Sequence, residues 1–194
     1  MFGFGKKKEV EGLAVYMAQV EFGQLLGIVA MLQPKRVLEW GSGGSTKALL
    51  EHFSCIESYV SIEHDAPWYE KVKEQVTDPR LQLHLCEPDQ PLGKIKPPKE
   101  ERYAWNSRAE VEPEVMAKYI ALPGTLGKQF DFVLVDGRAR SFCIHAGFSL
   151  LVPGGALVLH DAQREEYHAA LRAVGQPLFL TPWEEGQICL VKKP

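Results

Sequence analysis

The chain reads as a doubly wound α/β sheet of seven strands, mostly parallel, with an antiparallel strand at the C-terminal end. Three observations predict it. Short apolar runs alternate with segments of helical periodicity. The first run ends in a glycine turn, Gly41-Ser42-Gly43-Gly44. The last two runs follow each other with no helix between them, so the final strand must enter against the others. With 194 residues, 45% hydrophobic and 24% charged, the chain has material for one core, a single domain over residues 1–194.

Each element follows from its pattern. Residues 10–33 space Leu13, Tyr16, Met17, Val20, Leu25, Ile28, Val29 and Leu32 at three- and four-residue steps, an N-terminal helical segment that Gln33-Pro34 closes. Arg36–Trp40 is a strand running into the glycines, and Thr46–Phe53 a helix. Tyr59–Glu63 is the second strand. Asp65 caps the next helix, and Pro67 sits in its first turn, where a missing N–H costs nothing. Leu81–Cys86 is the third strand. Prolines 88, 91, 97, 98, 113 and 123 then break the rhythm. Residues 87–128 are expected to be a long insertion over the active site, with one helix around 113–122. Phe130–Val135 is a strand, Phe142–Leu151 a helix, Pro153-Gly154-Gly155 a turn, Ala156–His160 a strand and Glu165–Val174 a helix. Leu178–Leu180 and Ile188–Val191 pair across Trp183-Glu184-Glu185-Gly186 as a hairpin.

Composition removes several function classes. A net charge of −3 supplies no electrostatic reason for a nucleic-acid partner, and Lys6-Lys7-Lys8 reads as a solvated terminus. The four cysteines, Cys55, Cys86, Cys143 and Cys189, are scattered without a CxxC pair, and the last three lie in apolar surroundings as buried thiols. No charged-then-apolar leader opens the chain, and no apolar stretch reaches the roughly 18 residues of a membrane span. The expectation is a cytoplasmic protein without a membrane partner.

Ligands of open α/β sheets bind beyond the carboxyl ends of the strands, where strand order reverses. Glu39-Trp40-Gly41-Ser42-Gly43-Gly44-Ser45 is placed there, and its glycines let backbone approach a ligand. Glu63 ends the second strand, where a carboxylate can accept both hydroxyls of a ribose. Asp136 ends the strand 130–135, and His160-Asp161 ends the next. The three should emerge at one rim, each a candidate general base or metal ligand.

These segments, together with Leu151-Val152-Pro153-Gly154-Gly155-Ala156, resemble the motifs of the class I S-adenosylmethionine-dependent methyltransferases, in the right order over residues 36–162. The resemblance implies a Rossmann-like sheet and S-adenosylmethionine as cofactor. Glu39, Gly41, Ser42, Gly43 and Ser45 would hold its methionine end, and Glu63 and His64 its ribose. Cys86 and Glu87 would flank the adenine, with Asp136 beside the methyl group. Catalysis would fall to Asp136, His160 and Asp161, with His145 as a further helper. Arg138 and Arg140 could grip an anionic acceptor bidentately, and Tyr103, Trp105 and Tyr119 would cover it. Metal-dependent O-methyltransferases place three ligands at this rim. Asp136 and Asp161 match two, but Ala162 stands where the third, an asparagine, is expected, so a divalent metal is not favoured.

The reading is thus a methyltransferase acting on a small molecule or saccharide hydroxyl, since the Asn/Asp-Pro-Pro-Tyr signature of many base and amine methyltransferases is missing after Asp136. A homodimer stays open. Three rivals remain: a non-catalytic adenosyl-binding protein and an aminopropyltransferase, which share the fold, and a nicotinamide-dependent oxidoreductase, whose ordinary fold lacks the closing hairpin. The last is disfavoured by Thr46, which stands where its fingerprint needs a third small residue.

Overall fold

The computed structural model describes residues 12–93, 97–181 and 186–194. Its helices are α1 (Gln19–Leu32), α2 (Gly44–His52), α3 (Ala66–Gln75), α4 (Lys99–Val111), α5 (Ala117–Thr125), α6 (Arg140–Leu150) and α7 (His168–Val174). The strands are β1 (Arg36–Trp40), β2 (Ser58–Glu63), β3 (Leu81–Leu85), β4 (Phe130–Val135), β5 (Leu151–Leu159), β6 (Leu178–Phe179) and β7 (Cys189–Lys192). They form one sheet in the order β3-β2-β1-β4-β5-β7-β6. The pairs among β1 to β5 are parallel, and β7 inserts antiparallel between β5 and β6. The expected fold class is the one observed. Lys6-Lys7-Lys8, the start of the 10–33 segment and Trp183-Glu184-Glu185 lie outside the described residues.

Successive strand residues point to opposite faces, and here both faces are covered. Leu38, Trp40, Val133, Val135, Leu157 and Leu159 pack on one side with α4 to α7. Val37, Phe132, Leu134, Ala156 and Val158 pack on the other with Leu25, Ile28 and Val29 of α1 and Leu49 of α2. That double burial is why the strands read as unbroken apolar runs.

Three boundaries differ from expectation. The N-terminal helix begins only at Gln19, and residues 12–18 run outside it. The Pro153-Gly155 turn lies inside β5 as a register break, with Phe130 opposite Leu151 but Phe132 opposite Ala156. The segment 87–128 is mostly helical. Its prolines punctuate helices instead of preventing them: Pro98 is the N-cap of α4, and Pro113 opens a 3-10 turn before α5. Pro123 lies within α5, where it cannot donate to the carbonyl of Tyr119 four residues back. The indole Nε1 of Trp40 donates to that carbonyl instead, at 3.0 Å. This ties the inserted helix to the end of β1.

Candidate active site

β1 and β4 are neighbours whose chain connections leave in opposite directions, the switch point at which such sheets bind ligands. Gly41 follows β1 with φ +92°, and a Cβ there would lie 2.8 Å from the Cα of Gly137 after β4. Only glycine allows both the left-handed backbone and that approach. Glu39 stands behind the turn, fully buried. It accepts hydrogen bonds from Ser45 Oγ (2.9 Å), Thr46 Oγ1 (2.5 Å) and Ser61 Oγ (2.9 Å). Burial raises its pKa to about 7 against those three hydroxyls, which pull it down. Glu39 therefore braces the turn through α2 and β2 and presents no exposed oxygen.

Glu63 ends β2 directly across from the turn. Its Oε2 accepts from Ser42 N and Ser42 Oγ, both at 3.0 Å. Its Oε1 accepts from His64 N (2.7 Å) and Asp65 N (2.9 Å). Burial works to raise its pKa, but His64 and these backbone N–H groups outweigh it, so the carboxyl sits below its usual range. The turn is roofed. Trp68 donates its indole N–H to Ser42 O at 2.7 Å, Tyr16 packs on Trp68 with ring centroids 5.8 Å apart, and Gly44 lies against the backbone of Ala14. Beyond Glu63, His64 stacks near-parallel to Trp105 and meets Tyr119 edge-on.

The other half of the rim is a charge cluster. Asp136 Oδ1 lies 2.6 Å from His160 Nδ1. Arg140, buried, donates to His160 O (2.7 Å), Gly137 O (2.9 Å) and Asp161 Oδ2 (3.1 Å). Arg164 reaches the same Asp161 oxygen at 2.7 Å. Burial lowers the His160 pKa, but the hydrogen bond and charge of Asp136, with the charge of Asp161, raise it overall. Asp161 is held below its usual range, since Arg140, His160 and Arg164 overcome the effect of burial.

The expected residues divide by place. Glu39, Gly41, Ser42, Gly43, Ser45, Glu63 and His64 lie together at one half of the rim, and Asp136, His160 and Asp161 at the other. Cys86 continues β3 beside Glu63, its N–H donating to Glu63 O at 2.7 Å, whereas Glu87 is exposed. Arg140 is an internal clamp whose guanidinium is committed to protein carbonyls and carboxylates, which does not fit the expected grip on an acceptor. Arg138 faces Glu110 at 3.8 Å. Trp105 is buried, donating to Gln90 O, while Tyr103 is exposed on α4 and His145 on α6. Among the described residues no group of three or more His, Cys, Asp or Glu side chains is arranged to hold a metal ion.

Sequence reasoning missed Glu21 and Trp68. Glu21 was detectable as the one acid on the face of α1 that carries Leu25, Ile28 and Val29. Trp68 carried no signal, because its partner, Ser42 O, is set only by the folded turn.

No protein-family model matches the chain, and no curated protein matches it. Solved structures do. A methyltransferase-like protein from Silicibacter pomeroyi is 21% identical at TM-score 0.66, over 94% of this chain and 90% of that one. An O-methyltransferase from Bacillus cereus, solved in complex with SAH, is 14% identical at TM-score 0.58, over 91% and 82%. Spermidine synthase from Thermotoga maritima is 15% identical at TM-score 0.55, over 91% and 60%. The chain therefore has the class I methyltransferase fold, a fold that also carries aminopropyl transfer. Among the described residues no helix is long and apolar enough to cross a membrane.

Proposed function

We propose that this chain is an S-adenosylmethionine-dependent methyltransferase whose acceptor is a hydroxyl of a small molecule or saccharide. The observation that carries the reading is the joint placement of two carboxylates at the switch point: Glu63, kept ionised against the glycine turn, and Asp136, bonded to His160 across β4 and β5. The donor set fits the cofactor. Glu63 Oε2 already accepts a rotatable hydroxyl, Ser42 Oγ, and a ribose hydroxyl can take that place without leaving the carboxylate unpaired. When bound, S-adenosylmethionine supplies an activated methyl group for an in-line displacement. Glu63 then holds the ribose and the turn the methionine end, and Trp68 with residues 14–16 closes over the turn and excludes water. Asp136 is more exposed than Glu39, Glu63, His160 or Asp161, with one-fifth of its side chain open. It orients the acceptor hydroxyl and takes its proton as the new O–CH3 bond forms.

Calorimetric titration with S-adenosylhomocysteine and with NAD is the direct test. Binding of the first and not the second is expected, and no binding of S-adenosylhomocysteine removes the reading. Glu63→Ala should weaken that binding about 10–100-fold, the loss of one or two charge-assisted hydrogen bonds. Asp136→Asn should leave binding within a few-fold of wild type and abolish S-adenosylhomocysteine release from S-adenosylmethionine across a panel of hydroxylated acceptors.

A further inference from the structure

Glu21 belongs to no motif of the cofactor site, yet it is only 2% exposed and comes from α1, on the far side of the chain from His160 in sequence. Its Oε2 accepts the N–H of Ala18 at 3.0 Å, capping the helix. Such a cap stabilises by about 1 kcal/mol. Removing a carboxylate from water costs several kcal/mol unless an opposite charge faces it. Capping alone therefore does not account for the burial. The facing group is His160, whose Nε2 lies 3.3 Å from Glu21 Oε1 and 3.4 Å from Oε2. The other ring nitrogen is the one bonded to Asp136 at 2.6 Å. Gly186 closes the site from outside, since a Cβ there would collide with the Glu21 carboxylate. Arg140 holds the His160 carbonyl and Asp161 from within.

We propose that Glu21 is a positioning residue for the transfer site: by facing Nε2, it fixes the His160 ring so that Nδ1–H points at Asp136 and sets that carboxylate's orientation. An imidazole between two carboxylates donates from both nitrogens. His160 is then a fixed donor and not the base, and a proton taken from an acceptor hydroxyl resides on Asp136. Arg140, Asp161, Glu21 and Asp136 are the charged groups that face the ring, from α6, the end of β5, α1 and the end of β4. This role rests on the methyl-transfer reading, but the contact itself can be tested without cofactor or acceptor.

The test is proton NMR of the whole protein with 15N-labelled histidine. The Nδ1–H proton of His160 should resonate far downfield, as a short hydrogen bond requires, and vanish in Asp136→Asn, which assigns it. Glu21→Gln keeps an oxygen for the Ala18 N–H and so preserves the cap. It should nevertheless move or broaden the His160 signal and lower kcat roughly 10–100-fold, as loss of a ring-orienting partner does, with acceptor KM and S-adenosylhomocysteine affinity unchanged. An unmoved signal in a folded Glu21→Gln protein overturns the proposal, because a purely capping Glu21 predicts that result. If Glu21→Gln does not fold, Gly186→Ala displaces the carboxylate without changing its charge, and the same signal must move or the proposal fails. Failure of wild-type protein to bind S-adenosylhomocysteine would remove the methyl-transfer reading while leaving the ring contact standing.

Discussion

Two glutamates at the ends of adjacent strands, both buried, have opposite acidities, and their partners explain the difference. Glu63 faces backbone N–H groups and an imidazole, which favour the anion; Glu39 faces three neutral hydroxyls, which do so less. Glu39 rises from 4.5 to about 7, so its charged form is penalised in the folded state. The stability it contributes is full below 4.5 and is lost as pH rises through 7, a change of about 3 kcal/mol. Urea denaturation at pH 5 and pH 8 should show this loss in wild type and not in Glu39→Gln; equal slopes in both proteins would refute the assignment. The positions of both glutamates were legible in the sequence, because a strand end beside a glycine turn is a local pattern. Their unlike acidity was not, since Ser61 and Thr46 reach Glu39 only once β2 and α2 are packed. Glu21 escaped for the same reason: its partner is contributed by the other end of the chain.

At the scale of elements, strands were easier to read than the inserted helices. A strand buried on both faces is a bare apolar run, and parallel pairing demands the helix that follows it. α4 exposes most of its surface, with only Trp105 and Ala109 buried, so it has almost no apolar stripe to betray it, and the prolines around it read as breakers. Its neighbour α5 is tied to the end of β1 by one hydrogen bond, Trp40 Nε1 to the Tyr119 carbonyl that Pro123 leaves without its helical donor. Trp40→Phe should therefore cost about 2–4 kcal/mol in chemical denaturation, the loss of a buried donor plus some packing. Adding Pro123→Ala restores a backbone N–H four residues after Tyr119 and should recover about 1 kcal/mol of that loss. If the two changes are simply additive, the carbonyl was not the point of attachment.

Across the whole molecule, the sheet order followed from alternation and from the missing final helix, while the closeness of its two charged half-sites followed only from β1 and β4 lying side by side. That closeness governs how the protein responds to pH. Asp161, Glu63 and Asp131 are held below their ordinary values of 3.8, 4.5 and 3.8. Their contribution is present above those values and is lost as pH falls through the lower folded-state values. Glu39 and His160 are both raised, from 4.5 and 6.5. The contribution of Glu39 declines as pH rises through about 7, and that of His160, complete below 6.5, is lost as pH rises through its raised folded-state value. The two groups of residues close the window from opposite sides. The urea midpoint should therefore peak in acid, at about pH 4.5–5, and decline toward pH 8. The acid-side loss includes a buried pair, Asp161 with Arg140, so salt should change it little, in contrast to exposed pairs such as Lys35–Glu57. A midpoint that keeps rising to pH 8 would show that the buried cluster does not carry the charges assigned to it.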